Sequence, residues 1–275
     1  MKKKKALPTI WEVPDELWLR MEPLILEMDP PKETGRPRIN PRNAVDALIF
    51  RVRTGCQWNH IPHVYGDDAS LHRTFQHWVE IGLFPKIWAL LVEECDELSL
   101  VDWEWQAADG TMGKARLGGD AIGPNPTDRA KNGTKKSILT DRNGGPLSII
   151  MAGANVPDMK LLEKTIEAIV VKRPKPTKKK PQNLCLDKGY DNPTGEAAVE
   201  KYHYTRHIRR IGEEKLSKGK KKYPARRWVV ERTLAWLSKC RGLLIRYEKK
   251  AKNYLALLQL ACAMLWFRRL AQNTF

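Results

Sequence analysis

Residues 103–111 read WEWQAADGT. Trp103, Trp105 and Ala107 alternate with Glu104, Gln106 and Ala108, the period of two that a strand requires. Asp109-Gly110-Thr111 then reads as the turn that closes this strand. Upstream, apolar residues recur at helical intervals; downstream, strand-like and helical segments alternate. The stretch therefore marks the place where an all-α region, residues 1–98, gives way to an α/β region, residues 99–275.

Working outward toward the N-terminus, residues 9–27 (TIWEVPDELWLRMEPLILE) place Trp11, Leu17, Trp18, Met21, Leu24 and Leu26 at helical spacing, with a helix start at Pro14-Asp15-Glu16. A basic linker follows at 30–41 (PPKETGRPRINP), carrying Arg36 and Arg38, with Arg42 just beyond it. Pro41 to Arg53 reads as a second helix, stopped by Thr54-Gly55. Asp68 or Ser70 is placed to cap a further helix that ends at Gly82. Short helices between tight turns fit a helix-turn-helix domain, and equally a small bundle that touches no DNA. The arginines around residues 35–42 favour the first.

Toward the C-terminus, residues 135–153 (KKSILTDRNGGPLSIIMAG) read as a hairpin whose strands, Ser137–Thr140 and Leu147–Met151, turn at Asn143-Gly144-Gly145. An amphipathic helix follows Pro157 over 158–170, then an exposed basic loop at 172–181. NLCLD at 183–187 is a short strand, 194–202 a helix and 204–208 another strand. A Lys-rich loop at 215–222 leads to a helix from Pro224 to Ser238, and 253–270 forms a buried helix. If the hairpin runs outward from the first strand and a helix crosses back, the 183–187 strand lies parallel beside the first.

The chain of 275 residues, 42% hydrophobic and 29% charged, is long enough for two domains and a real core. Its formal charge of +17, from 49 Lys and Arg against 32 Asp and Glu, implies a polyanionic partner, nucleic acid before membrane. The physical reason is that neutralised phosphates release condensed counterions. Five scattered cysteines without a CxxC fit a reducing cytosol. MKKKK at the N-terminus has no apolar core behind it, and the apolar stretch 254–267 is too short to span a bilayer.

Three acidic residues stand in distinctive settings: Asp109 after the first strand, Asp187 closing NLCLD, and Glu231 on the polar side of a helix in a strongly basic region. Each alone has an ordinary explanation. Asp109-Gly110 is a turn signal, Asp187 precedes Lys188-Gly189, and Glu231 can pair with arginines beside it. Together they suit divalent-metal chemistry on phosphodiesters. Asp109 and Asp187 would emerge at neighbouring carboxyl ends of adjacent strands, where open α/β sheets collect ligands. Mg²⁺ takes oxygen ligands, and a pair of ions about 3.5–4 Å apart would relieve the repulsion between carboxylates. Asp191 is the nearest alternative ligand. Arg227, Arg232 and Lys239 on the Glu231 helix could reach flanking phosphates.

Long blocks of the chain resemble transposases of bacterial insertion sequences, specifically the IS-five family of the DDE group. They include GRPRINPRNAVDALIFRVRTGCQWNHIP, SLHRTFQHWVEIGLF, the DGT at Asp109, AIGPNPTDRAKNGTKKSILTDRNGGPLSIIMAGANVPDMKLLE, LDKGYD, and ARRWVVERTLAWLSKCRGLLIRYE. The resemblance covers nearly the whole length. It implies an RNase H-like catalytic domain with Asp109, Asp187 and Glu231 as ligands of Mg²⁺, Mn²⁺ substituting. It also implies an N-terminal region that recognises terminal inverted repeats, and cutting and joining of double-stranded DNA at element ends and target. Two ends need two active sites, hence a homodimer or larger assembly on DNA, in the bacterial cytoplasm and associated with the nucleoid.

The related group's helix signature departs here in detail. Tyr223 and Arg226 fit its first spacing, but Arg227 rather than Arg226 stands at the right distance from Glu231, and Ser238 occupies the lysine position beside Lys239. His60, His63, His72 and His77 lack a zinc-like partner set and read as packing or polar residues. No GxxxxGK[ST] occurs, so no nucleotide cofactor is indicated. Two other functions share these features: a catalytically silent DNA-binding regulator, and an Mg²⁺-dependent nuclease without strand transfer.

Overall fold

The computed structural model describes residues 8–35, 37–208 and 228–274. The Lys-rich loop expected at 215–222, and the opening of the helix expected from Pro224, lie outside these residues. The N-terminal part is all helical: α1 (Asp15–Met28), α2 (Pro41–Thr54), α3 (Asp68–Glu80) and α4 (Leu83–Glu97). Pro14 opens α1 as expected, its carbonyl accepting from Leu17 and Trp18 N–H. Leu17, Trp18, Met21 and Ile25 form the buried stripe, whereas Trp11 and Leu26 are exposed. Trp11 precedes the helix and has no helical phase; Leu26 yields the inward position to Ile25.

Asn40 caps α2 by accepting from Arg42 and Asn43 N–H, Pro41 occupies its first turn, and Gly55 closes it in the left-handed region at φ 70°. Asp67, not the expected Asp68 or Ser70, caps α3: its carboxylate accepts from Ser70 N–H at 2.9 Å. The helix stops at Glu80, and Gly82 at φ 72° leads directly into α4.

The second part is a mixed sheet. Its strands are β1 (Trp105–Lys114), β2 (Gly123–Pro124), β3 (Asn132–Asp141), β4 (Pro146–Gly153), β5 (Asn183–Leu186) and β6 (Thr205–Ile208). β3 lies antiparallel to both β1 and β4, β5 lies parallel to β1, and β6 lies parallel to β5; β2 adds a short pairing at the start of β3. This is the RNase H-like arrangement expected from the sequence, with the crossover helix α5 (Met159–Glu167) returning the chain to β1. α6 (Pro193–Lys201) packs beside α5.

The turn expected at Asp109-Gly110 is absent. β1 does not turn at Asp109-Gly110 but continues to Lys114, paired with β3 as far as Gly133. β3 is longer than its hydrophobic run suggests and supplies ladder partners for the whole of β1, so Asp109 stands mid-strand opposite Ile138.

α7 (Trp228–Ser238), α8 (Arg241–Leu244) and α9 (Ala251–Thr274) cover the sheet face away from α5. Neighbouring β3 residues show the division. Ser137 shares a 2.7 Å hydrogen bond with Thr165 of α5, while Lys136 sends its ammonium to Leu243 carbonyl of α8. α9 is 24 residues long and by length and composition alone apolar enough to cross a membrane, but 67% of its most apolar segment is buried inside the protein. It packs along α4, and Trp88 and Trp266 both donate to Pro146 carbonyl, joining the helical part to β4.

The β3–β4 turn is organised by Asp141, whose side chain is fully buried. Its carboxylate accepts from Asn143, Gly145 and Asp102 N–H and from Arg269 of α9 through two nitrogens, at 2.6 and 3.2 Å. Breaking a buried pair leaves an uncompensated charge, so Asp141→Asn is expected to cost about 3–5 kcal/mol. Urea denaturation checks this; a change below about 1 kcal/mol would mean the turn does not depend on that charge.

Candidate functional site

β1 and β5 pair through Trp105–Asn183, Gln106–Leu184 and Ala107–Cys185, and there the ladder ends. Continuing that register by two residues brings Asp109 level with Asp187. Asp109 thus lies two residues beyond the last β1–β5 pair on one strand and Asp187 two beyond it on the other, at the carboxyl ends where such sheets bind ligands. Each is steered by local backbone. Asp109 Oδ1 accepts from Gly110 N–H and Asp187 Oδ1 from Gly189 N–H, both at 2.8 Å.

The turn after Asp187, Lys188–Tyr190, is anchored by the buried Tyr190 ring. Burial raises the Tyr190 phenol above its ordinary pKa, and the negative charges of Asp158, Asp109 and Asp187 raise it further.

Asp158, immediately before α5, is a residue that sequence reasoning missed. It makes no side-chain cap to its helix. Its Oδ2 accepts from Lys135 Nζ at 2.9 Å, and its buried Oδ1 has no hydrogen-bond partner. That Oδ1 lies 2.0 Å from where a Cβ on Gly110 would be, so Gly110 must remain without a side chain. The only sequence signal was the Asp-Gly pair, whose glycine serves close packing rather than a turn. Lys136, two residues along from Ile138 on the same face, is also buried; desolvation lowers its pKa to about 8.

Glu231 is exposed in the first turn of α7, which packs across β1 and β3 on the sheet face opposite α5. Asp109 points to that face, because directly opposed Ile138 alternates with Ser137, which points to α5. α7 is seated on the β3–β4 turn: Thr233 donates to Gly144 carbonyl and Arg232 to Asn143 carbonyl, each at 2.7 Å. Among the described residues, no three His, Cys, Asp or Glu side chains come together as a metal-holding group. The carboxylate oxygens of Asp109, Asp187 and Glu231 nonetheless fit a hard divalent cation in kind.

The expected DNA-contacting arginines divide into three sets. Arg38 pairs with Asp29, and Arg42 with Asp15 while lying over the Trp18 ring. Arg36, Arg226 and Arg227 lie outside the described residues, as does Tyr223. Arg232 lies between the rings of Trp228 and Trp236, 4.7 Å from each, and Lys239 is exposed at the far end of α7. Asp191, the alternative ligand, accepts from Arg206 at 3.2 Å. His77 meets Asp29 and His72 lies on Trp58, packing and polar positions.

Comparison with known proteins matches residues 13–88 to a family described as putative transposases of the IS4/5 family, and residues 95–266 to the transposase DDE domain. A putative transposase for insertion sequence element IS402 from Burkholderia cepacia is 40% identical over 158 residues, covering 56% of this chain and 72% of that protein. Among solved structures, a piggyBac transposase synaptic complex with hairpin DNA aligns with 99% of this chain and 69% of its own, at 12% identity and a TM-score of 0.40. A Mos1 mariner paired end complex with Mn covers 98% and 90%, at 9% identity and a TM-score of 0.26.

Two predictions follow from the geometry around β1. Gly110→Ala is expected to cost about 1–3 kcal/mol by overpacking against Asp158. In a double variant with Asp158→Ala the cost should fall below the sum of the singles; additive values in urea denaturation would separate the two residues. For Lys136, the folded pKa of about 8 lies below the ordinary 10.5. The unfolded chain therefore binds more protons between those values, and this group makes stability rise with pH across them. Denaturation at pH 7 and pH 10 should show wild type gaining relative to Lys136→Met; an unchanged difference would mean that the ammonium is solvated.

Proposed function

The chain belongs to the DDE transposases of insertion sequences, enzymes that cut and join DNA strands, and on that premise we propose that Asp109, Asp187 and Glu231 form its catalytic and metal-binding set. The observation that carries this reading is the register of β1 and β5, which sets Asp109 level with Asp187 at the point where the strands part. Glu231 supports it from α7, which covers the face to which Asp109 points. The family uses a divalent metal, and carboxylate oxygens favour Mg²⁺, with Mn²⁺ able to replace it. When bound, such a metal acts as a Lewis acid toward the attacking and leaving oxygens of the phosphodiester.

The side chains have separable tasks. Asp109 on β1 and Asp187 just past β5, each oriented by a backbone N–H, present oxygens that hold the scissile phosphate's site in place. Tyr190, buried beneath the turn that follows Asp187, fixes that turn. Arg232 on α7 and Lys239, one residue past its end, would receive phosphates near Glu231. Residues 1–98, with a helix-turn-helix-like character and Arg36, Arg38 and Arg42, recognise the terminal inverted repeats, while residues 99–275 carry the chemistry. Arg38 and Arg42 would exchange Asp29 and Asp15 for phosphate on binding. Two ends call for a homodimer or larger assembly on double-stranded DNA, and the site of action is the bacterial cytoplasm at the nucleoid.

Incubation of purified protein and Mg²⁺ with a plasmid carrying the DNA that flanks its own gene tests this. Wild type is expected to cut at inverted-repeat ends and yield joined products. Asp109→Asn, Asp187→Asn and Glu231→Gln are expected to reduce cutting to background while binding the ends within about threefold of wild type. A variant that cuts at the wild-type rate removes its residue from the site. Cutting without joined products would make the chain a metal-dependent nuclease, and specific binding without cutting a DNA-binding regulator.

A further inference from the structure

Gly110 is conformationally the freest residue of the candidate site, and it is also the one that aims Asp109. Its N–H donates to Asp109 Oδ1 at 2.8 Å, yet without a side chain its peptide can swing more easily than its neighbours in β1. The sheet restrains it on one side only. β1 pairs with β5 no further than Ala107–Cys185, so from Ala108 to Met112 its ladder partner is β3 alone. Keeping one direction for the Asp109 carboxylate therefore calls for a restraint from another layer.

That restraint lies on the α5 face. Gly110 is paired with Ser137, whose hydroxyl bonds Thr165 of α5, so the side of Gly110 that lacks a Cβ faces α5 and turns away from Asp109. Asp158 meets it there. Its buried Oδ1 has no hydrogen-bond partner and occupies the space where a side chain on Gly110 would begin. Its Oδ2 accepts from Lys135 Nζ at 2.9 Å. Lys135 stands opposite Met112 on β3, on the same face as Ser137, and leans back along the strand until its Cδ lies 3.6 Å from the position of a Gly110 Cβ. Only 7% of the Lys135 side chain is exposed.

The pair is poorly explained by stability alone. Asp158 opens α5 yet makes no side-chain cap to it, forgoing the bond that an aspartate commonly gives at a helix start. Two charges buried under a strand are also no more stabilising than apolar side chains of the same volume. Rigid delivery, in contrast, is well served: two turns further along α5, Thr165 shares a hydrogen bond with Ser137 and accepts from Ser148 through its carbonyl.

We propose that Asp158 and Lys135 are positioning residues for the DNA-cutting reaction. From behind β1 they pin the Gly110 peptide, whose N–H fixes the direction of the Asp109 carboxylate. The inference rests on Asp109 being a metal ligand, as proposed above. Both side chains lie on the sheet face opposite the one to which Asp109 points, so they act through the peptide and not as ligands themselves.

The test is Mn²⁺ binding to the purified full-length chain, read from the electron paramagnetic resonance of free Mn²⁺, with unfolding midpoints measured on the same samples. Lys135→Met combined with Asp158→Ala removes the pair without stranding a buried charge, and should unfold near the wild-type midpoint. It is expected to bind Mn²⁺ about tenfold more weakly, the lower end of what residues behind a metal ligand contribute. The Mn²⁺ concentration for half-maximal cutting of an end duplex should rise by the same factor, with end binding unchanged. Adding Gly110→Ala fills the vacated space and stiffens the peptide covalently, and should return Mn²⁺ affinity to within about threefold of wild type. Asp158→Asn, which keeps the shape and protects the fold, should show a smaller loss than the double variant. A pair that only stabilises the fold would leave Mn²⁺ affinity unchanged in every folded variant; that result, or no recovery on adding Gly110→Ala, overturns the proposal. Asp109→Asn is the reference for a lost ligand. If it binds Mn²⁺ as wild type does, the ligand role of Asp109 falls and this inference falls with it.

Discussion

Asp141 is the constraint on which the arrangement depends. A buried carboxylate is costly unless hydrogen-bond donors surround it, and here three backbone N–H groups and the Arg269 guanidinium do so. The donors come from the entry to β1, the β3–β4 turn and α9, so one charge holds three remote segments in register. The turn in turn seats α7 through Gly144 and Asn143 carbonyls. The position of Glu231 relative to β1 therefore follows in part from the Asp141–Arg269 ion pair. A strand and the turn that ends its neighbour fix two of the proposed ligands, and a helix fastened to the same sheet carries the third.

The fold was legible because its local signals agree with its long-range pairing. The alternation of Trp103 to Ala108 announced a strand, and the spacing of hairpin, crossover helix and NLCLD announced a parallel return beside it. What the sequence could not reveal was the extent of pairing. Asp109-Gly110 has the composition of a turn, but a partner strand long enough to satisfy every backbone group keeps it extended. The glycine answers instead to Asp158, a contact across the sheet that no local pattern encodes. Capping shows the same limit on a smaller scale: Asp67, Asp68 and Ser70 are all plausible caps, and only the observed backbone decides for Asp67.

The acidic residues stand out as a set by their setting inside a chain of +17, and continuing the β1–β5 register would bring two of the proposed ligands level. The cations were not legible in the same way. Arginines in a basic linker look available, yet Arg38 and Arg42 are claimed by Asp29 and Asp15. Conversely, Arg53 and Arg268 are separated by most of the chain and come together only because α2 and α9 meet. Charge composition identifies the class of partner, but tertiary contacts decide which charges remain to be used.

α7 reconciles two opposite electrostatic demands within about 16 Å of helix. A crevice that gathers carboxylates needs cations brought to it, and a duplex needs cationic protein along its backbone. On a straight strand, consecutive residues would face opposite sides of a sheet and one would be lost to the core. On a helix, Glu231 and Arg232 both stay near the surface, yet diverge by about 100°, while Val229, Val230, Thr233 and Leu237 occupy the buried side. The Arg232 guanidinium lies 4.7 Å from the ring centroids of both Trp228 and Trp236 and donates to Asn143 carbonyl, which fixes its position. A single turn of helix can therefore serve the proposed metal ligands on one side and flanking phosphates on the other.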